Sequence, residues 1–260
     1  METLDLAEVD EWLRVTEMAI KDVVPSEVQE ALRDHDPEDM YHDTLEYFLN
    51  ACDTFGLPCS RDEWDSVFDQ EFGDRFSSIR AFHACRITDI DSYRSRGIVK
   101  LSRALLRELC HDAFSKHATA AVIDKAVDNY DIPDFDKSVF LFTDMQRPFS
   151  GLSNGFLQGG SEFVQAISIS LGLHSRGILA SRGSAYLIEC TVPIPRVHVA
   201  FRLELWRKFV TAYFMREAGF QIADEAPDFC IRVDSGIAPD EIVKFHECNL
   251  SEMISHHPLN

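Results

Sequence analysis

Apolar residues in the first third of the chain recur at the three- and four-residue spacing of an α-helix. This pattern predicts helices over residues 3–33, 38–55 and 61–72. The first of them should break at Pro25, because a proline disfavours the helical conformation in the residue before it. The pattern therefore predicts a small α-helical unit at the start of the chain, over residues 1–76.

After Gly73 the pattern changes to short apolar runs that alternate with amphipathic segments. The short runs are typical of buried strands, and the amphipathic segments are typical of helices. A cluster of glycine, serine and asparagine residues predicts a loop over residues 150–161. Strands are predicted at 79–86, 138–144, 185–192 and 229–233, a turn leading into a further strand at 237–245, and helices at 89–96, 102–116, 119–130, 162–171 and 203–218. Strands and helices in this order favour a mixed α+β domain.

Acidic residues are concentrated in the helical unit. Residues 1–76 hold 22 of the 44 Asp and Glu residues of the chain but only 5 of its 25 Lys and Arg residues. Such a surface repels nucleic acid and anionic membranes. Two interpretations stay open: the charge keeps a helical subdomain soluble, or the charge docks a basic protein partner.

Length and cysteine content are those of a globular protein. The chain has 260 residues, which is enough to bury a core. No apolar run approaches the roughly 20 residues of a membrane helix, and the first residues are acidic where a signal peptide carries positive charge. The seven cysteines are widely spaced, which argues against a disulfide framework or a zinc site. We therefore expect a cytoplasmic protein with no membrane segment.

One predicted strand ends in a polar motif. His83, Cys85 and Arg86 close the apolar run at 79–86, and a short helix that Gly97 should end follows directly. Polar side chains that converge where a strand ends are typical of a ligand site. The sequence therefore predicts a cleft at this end of the strand.

Three later segments carry further candidate residues. They are Phe140 and Phe142 in the strand 138–144, Gly160-Ser161-Glu162 at the start of the helix 162–171, and Asp228-Phe229-Cys230-Ile231 at the strand 229–233. Because each segment again joins a strand or a helix start to a polar side chain, we expect them to contribute to the same cleft.

In this order the motifs resemble those of ADP-ribosyltransferase-like proteins. They look closest to bacterial members with the signature His-x-[Thr/Cys]-Arg, then Gly-Ser-Glu, then Asp-Phe-x-Ile and a late histidine, here His246. The resemblance covers about residues 78–247. It implies an α+β fold with an ADP-ribosyltransferase-like split β-sheet core and flanking helices over 77–250. The small acidic α-helical unit 1–76 precedes this domain, and a loose tail, 251–260, follows it.

The resemblance also implies NAD as the substrate and assigns roles to the motif residues. Cleavage between nicotinamide and ribose passes through a positively charged ribose, which a carboxylate stabilises. The catalytic carboxylate would be Asp228 or Glu162. His83 would hold a ribose hydroxyl, and Arg86 would contact a phosphate or organise the cleft. The NAD-binding set implied in this way comprises His83, Cys85, Arg86, Phe140, Phe142 and Ser161.

Each of these residues also has a purely structural interpretation. Ser161 and Glu162 suit the cap and the first turn of a helix. Phe140 and Phe142 suit the packed face of a strand, and His83 suits a buried histidine that bonds to the backbone. The sequence alone leaves both interpretations open.

The resemblance finally implies an NAD-dependent ADP-ribosyltransferase or NAD-cleaving enzyme. It would modify a macromolecule, protein or nucleic acid, as a bacterial toxin or antiphage effector. The alternative is a catalytically inactive protein of the same fold that binds a basic protein partner through residues 1–76.

Overall fold

The computed structural model describes residues 2–33, 46, 48–57, 60–131, 138–149, 154–217, 219 and 230–249. The chain divides into two compact units. The first unit combines Met1–Arg80 with Pro193–Phe229, and the second combines Ala81–Val192 with Cys230–Asn260. The sequence prediction placed a boundary at residue 76 and did not assign residues 193–229 to the first unit.

Helices and strands alternate along most of the chain. The helices are α1 (Val9–Val23), α2 (Ser26–Arg33), α3 (48–54), α4 (Arg61–Arg75), α5 (Ile90–Arg96), α6 (Arg103–Phe114), α7 (Ala120–Asn129), α8 (Asn154–Gly159), α9 (Glu162–Ser170), α10 (Ser175–Ala180) and α11 (Val199–Glu217). The strands are β1 (Glu2–Leu4), β2 (Phe76–Ile87), β3 (Val139–Phe142), β4 (Ser184–Pro193), β5 (Cys230–Val233) and β6 (Ile242–Cys248). Within the described residues, none of these helices has both the length and the apolar character needed to cross a bilayer.

Aromatic side chains form the core of the first unit. Trp12 of α1 stacks on Phe209 of α11 with ring centroids 4.5 Å apart, and Phe72 of α4 stacks on Trp206 at 4.8 Å. Stacked aromatic pairs of this kind add to the stabilisation that their burial provides. The core therefore joins α1, α4 and α11, although α11 is distant in sequence from the other two.

Two arginine–aspartate pairs fix α11 against α4. Arg207 donates to both carboxylate oxygens of Asp65, and Arg202 donates to both oxygens of Asp69 at 2.5 and 2.7 Å. The indole of Trp206 also donates to Asp69, at 2.9 Å. Such bidentate pairs are stronger than ion pairs with a single hydrogen bond. Part of the acidic charge of residues 1–76 is therefore neutralised inside the first unit by α11.

The strands form one six-stranded sheet. β1 pairs in parallel with the beginning of β2, and the other strands follow the order β5-β3-β2-β4-β6. The pairs β2–β3, β3–β5 and β4–β6 are antiparallel, with Phe82 directly opposite Phe142. The predicted α+β class is confirmed.

Two local predictions about where helices end are confirmed. α1 ends at Val23 and α2 begins at Ser26, so the helix breaks around Pro25. α5 ends at Gly97, whose φ of 74° is easily adopted only by glycine.

Three other predictions were wrong or incomplete. The helix predicted from residue 3 begins later, because Glu2–Leu4 is a strand whose Thr3 hydroxyl lies 2.8 Å from that of Ser78. Asn154–Gly159, predicted as loop, is helix α8, and Ser175–Ala180 is a helix that was not predicted. Of the helix predicted over 38–55, residues 48–54 are helical; most of its first half and the tail 251–260 lie outside the described residues.

Candidate functional site

The predicted motif lies at the end of β2, between β3 and β4. Because side chains alternate along a strand, His83 and Cys85 point to one side of the sheet and Arg86 points to the other. The contacts agree: the Cys85 thiol is hydrogen-bonded to Tyr93 of α5, whereas Arg86 donates to the carbonyl of Leu157 in α8. We call these two sides the α5 face and the α8 face.

His83 on the α5 face is half-buried, and its Nδ1 lies 3.3 Å from the carbonyl oxygen of Phe140. Burial lowers the pKa of His83 below its ordinary value, although the bond to Phe140 opposes this. A neutral ring must carry its proton on Nδ1 to donate to a carbonyl, so Nε2 is an acceptor. Within the described residues, Nδ1 is the ring atom of His83 that makes a hydrogen bond, and its partner is the carbonyl oxygen of Phe140. This contact favours the tautomer of neutral His83 that carries its proton on Nδ1.

Cys85 lies beside His83 on the α5 face and is 6% exposed. Burial raises the pKa of its thiol to about 12, so the thiolate needed for a nucleophile is disfavoured. Burial also raises the pKa of Tyr93, which therefore keeps its hydroxyl proton. Sequence reasoning missed Tyr93. Tyr93 lies three residues after Ile90, so both residues lie on one face of α5. This spacing is the signal in the sequence that could have indicated Tyr93.

The guanidinium of Arg86 donates to four backbone carbonyls. Nε donates to Arg182 at 3.0 Å, Nη1 donates to Leu157 at 3.0 Å, and Nη2 donates to Ala180 and Gly183 at 2.8 and 2.6 Å. These bonds use four of the five N–H groups of a guanidinium. The sequence left two roles open for Arg86, contacting a phosphate or organising the cleft, and these bonds leave at most one N–H group for a phosphate.

The two candidate phenylalanines belong to the α8 face. Phe142 is opposite Phe82 of β2, and its ring meets that of Phe156 edge-on with centroids 6.0 Å apart. Phe142 packs against an apolar cluster that includes Leu157. Phe140 lies two residues earlier on the same strand and therefore shares this face. Phe142 is therefore packed in an apolar cluster, as the structural interpretation of this residue expected.

The Gly-Ser-Glu segment also lies on the α8 face. A methyl group placed on Gly160 would lie 3.7 Å from Cβ of Arg86, so the start of α9 approaches the end of β2. Ser161 is half-buried, and its side chain makes no capping hydrogen bond. Glu162 is exposed in the first turn of α9. The structure therefore brings Arg86 and the Gly-Ser-Glu segment together, as the sequence predicted.

The sheet lies between the two groups of predicted residues. His83 and Cys85 are on the α5 face, whereas Arg86, Phe142 and the start of α9 are on the α8 face. Asp228, the other carboxylate candidate, lies outside the described residues.

No family model, no curated protein and no solved structure matches this chain significantly. The functional argument therefore depends on the sequence motifs and on the geometry of the second unit.

The late histidine of the sequence motif has a carboxylate partner. Nε2 of His246 on β6 lies 2.7 Å from a carboxylate oxygen of Glu189 on β4, and both side chains are mostly buried. The pair is diagonal across the two strands, since Leu187 is directly opposite His246. Sequence reasoning missed Glu189. Nowhere in the described ranges do three His, Cys, Asp or Glu side chains converge in the way a metal ion requires.

Proposed function

We propose that the chain binds NAD on the α5 face and cleaves the bond between nicotinamide and ribose. One observation carries the proposal: Nδ1 of His83 lies 3.3 Å from the carbonyl oxygen of Phe140. Because a carbonyl oxygen only accepts, a neutral ring donates from Nδ1 and leaves Nε2 as an acceptor. A ribose hydroxyl is a donor that suits this nitrogen. The family resemblance implies the same role for His83.

The proposal assigns the catalytic carboxylate to Asp228. The sequence left a choice between Asp228 and Glu162, and Glu162 follows Gly160, whose backbone approaches Arg86 on the α8 face rather than His83. A carboxylate near the ribose stabilises the positive charge that develops as nicotinamide leaves. Arg86 has no direct contact with NAD in this proposal, because its donors are used by backbone carbonyls.

The identity of the acceptor belongs to the proposal too. The family resemblance implies a macromolecule as acceptor, in a bacterial toxin or antiphage effector, or water in an NAD hydrolase. It also implies that the observed α+β sheet is a variant of the split ADP-ribosyltransferase-like sheet.

The test measures the release of nicotinamide from NAD by chromatography. His83→Phe keeps a ring but removes the acceptor nitrogen, and Asp228→Asn removes the charge. Each should lower the rate at least about a hundredfold, as expected when a group acting on the transition state is lost. Glu162→Gln is the matched control and should keep the wild-type rate. The absence of both nicotinamide release and calorimetric NAD binding in the wild type would refute the proposal.

A second candidate is a catalytically inactive protein that binds a basic partner through residues 1–76. Two observations favour it. Arg86 serves the fold, and the helices of the first unit expose many carboxylates. The exposed acidic residues of α1, α2 and α4 include Asp10, Glu11, Glu27, Glu30, Asp62 and Glu63.

This second candidate predicts salt-dependent binding of a lysine-rich peptide at low ionic strength. Reversing two charges of α2, with Glu27→Lys and Glu30→Lys, should weaken the binding. A glutamate-rich peptide of equal length serves as the control. Equal affinity of wild type and variant for the basic peptide would exclude α2 as the binding surface.

A further inference from the structure

We propose that Arg86 is a clamp that couples the sheet of the second unit to the packed helices α6, α7, α9 and α10. The inference is independent of NAD. It follows from the identity of the four carbonyls that Arg86 holds and from the apolar clusters to which their helices belong.

The second unit contains two apolar clusters. The sheet cluster consists of Ala84, Leu157, Ala185, Leu187 and Cys248, with α8 contributing Leu157. The helical cluster consists of Leu106, Cys110, Ala113, Phe114, Ile123, Val127, Val164, Ile167 and Leu179, from α6, α7, α9 and α10. Residues 154–183 therefore take part in both clusters, because α8 packs on the sheet, α9 packs on α6 and α7, and α10 packs on α8 and α9 while contributing Leu179 to the helical cluster.

Arg86 binds both ends of this segment. Leu157 lies in α8, near the beginning of the segment, whereas Ala180 is the last residue of α10. Arg182 and Gly183, the other two acceptors, follow α10 directly. Carbonyls at a helix C-terminus lack partners within the helix and carry partial negative charge, so a guanidinium suits them.

Gly183 allows the backbone to come this close to β2. Its φ is 60°, and a Cβ at this position would lie 2.1 Å from the carbonyl oxygen of Ile87. The chain after α10 thus passes directly over the end of β2, within reach of the Arg86 side chain. The clamp is a polar link between the two clusters that adds to the direct packing of α8 on α9 and α10.

Hydrogen exchange of the backbone amides tests the clamp. Arg86→Lys keeps the positive charge but loses the planar guanidinium, whose N–H groups donate to several acceptors at once. We expect amides of α8 and α10 to exchange about tenfold faster or more, since bonds to a charged group are lost. Amides of α1, α4 and α11 should be unchanged. Wild-type exchange rates throughout α8 and α10 in this variant would overturn the clamp.

Arg103→Lys is the matched control. Arg103 also donates to backbone carbonyls at a helix end, those of Val127, Asp128 and Tyr130, but all three lie at the end of α7, which belongs to the helical cluster. This variant should affect the end of α7 and leave α8 unchanged. Equal effects of the two variants on α8 would contradict the specific coupling through Arg86.

A wild-type measurement keeps the inference testable if Arg86→Lys does not fold. The Nε–H proton of Arg86 should exchange with water at least about tenfold more slowly than that of Arg94, since it is held by a carbonyl. The Arg94 side chain is 60% exposed and provides the reference. Equal exchange rates of the two protons in a nitrogen-edited spectrum would overturn the clamp.

Discussion

His83 and Phe140 are joined by a hydrogen bond between neighbouring strands: Nδ1 of His83 lies 3.3 Å from the carbonyl oxygen of Phe140. Burial lowers the pKa of His83 and favours the neutral ring. An unfolded histidine takes up a proton below about pH 6.5, which the folded His83 does not at the same pH. The folded state should therefore lose stability as the pH falls from about 6.5 through the lowered pKa.

The first prediction compares wild type with His83→Asn, which cannot titrate. Between pH 7 and pH 5.5 the free energy of unfolding should fall more steeply for wild type than for the variant. Above pH 7 the difference between the two proteins should be constant. Denaturant unfolding followed by circular dichroism measures both profiles, and parallel profiles would contradict the lowered pKa.

Thiol reactivity should differ sharply between Cys85 and Cys230. With a pKa of about 12, only about one Cys85 in ten thousand is a thiolate at pH 8. Cys230 is half-exposed on β5. Iodoacetamide should therefore modify Cys230 well before Cys85 in the native protein, as seen by peptide mass spectrometry. Equal rates in the native protein, rather than only in urea, would show that Cys85 is accessible.

The Asp65–Arg207 pair should be important for the first unit. Asp65→Ala should lower the free energy of unfolding by about 3 kcal/mol or more. The reason is that Asp65 is buried and that its loss leaves Arg207 without its main partner. Asp74→Ala, an exposed aspartate on the same helix, is the control and should stay within about 0.5 kcal/mol. Tryptophan fluorescence is a suitable probe, because Trp12, Trp64 and Trp206 all belong to the first unit. Equal effects of the two substitutions would refute this assignment.

Two glycines with similar backbone angles should respond differently to alanine. Gly183 and Gly172 have φ values of 60° and 69°. A Cβ on Gly183 would clash with the Ile87 carbonyl, whereas nothing lies within 4 Å of one on Gly172. Gly172→Ala should cost about 1 kcal/mol from the left-handed backbone alone. Gly183→Ala should cost clearly more, seen as a larger fall in melting temperature; equal falls would argue against the close approach.

The helix ends that depend on a single residue were predicted best from the sequence. The break at Pro25 and the end of α5 at Gly97 depend on the conformational preferences of single residues, which act without tertiary contacts. The strand β1 was missed because its partner in β2 lies about 75 residues away. The membership of α11 in the first unit was missed for the same reason, since Arg202 meets Asp69 across 133 residues.

The candidate site was predicted only in part. The sequence placed Gly160 and Arg86 in one region, and the structure brings them together. The sequence did not indicate that Arg86 would bind four backbone carbonyls, because the acceptors are set by how α8 and α10 pack. The separation of His83 from Arg86 was available from the sequence, because residues three apart on a strand point to opposite faces.

The tautomer of His83 in the presence of NAD tests the central proposal most directly. Nitrogen-15 spectra of protein with labelled histidine distinguish a protonated ring nitrogen from an unprotonated one, and His83→Asn identifies the signals among the ten histidines. We predict a neutral ring with the proton on Nδ1 and an Nε2 signal that moves as NAD is added. A proton on Nε2, or an Nε2 signal that does not respond to millimolar NAD, would contradict the proposed role of His83.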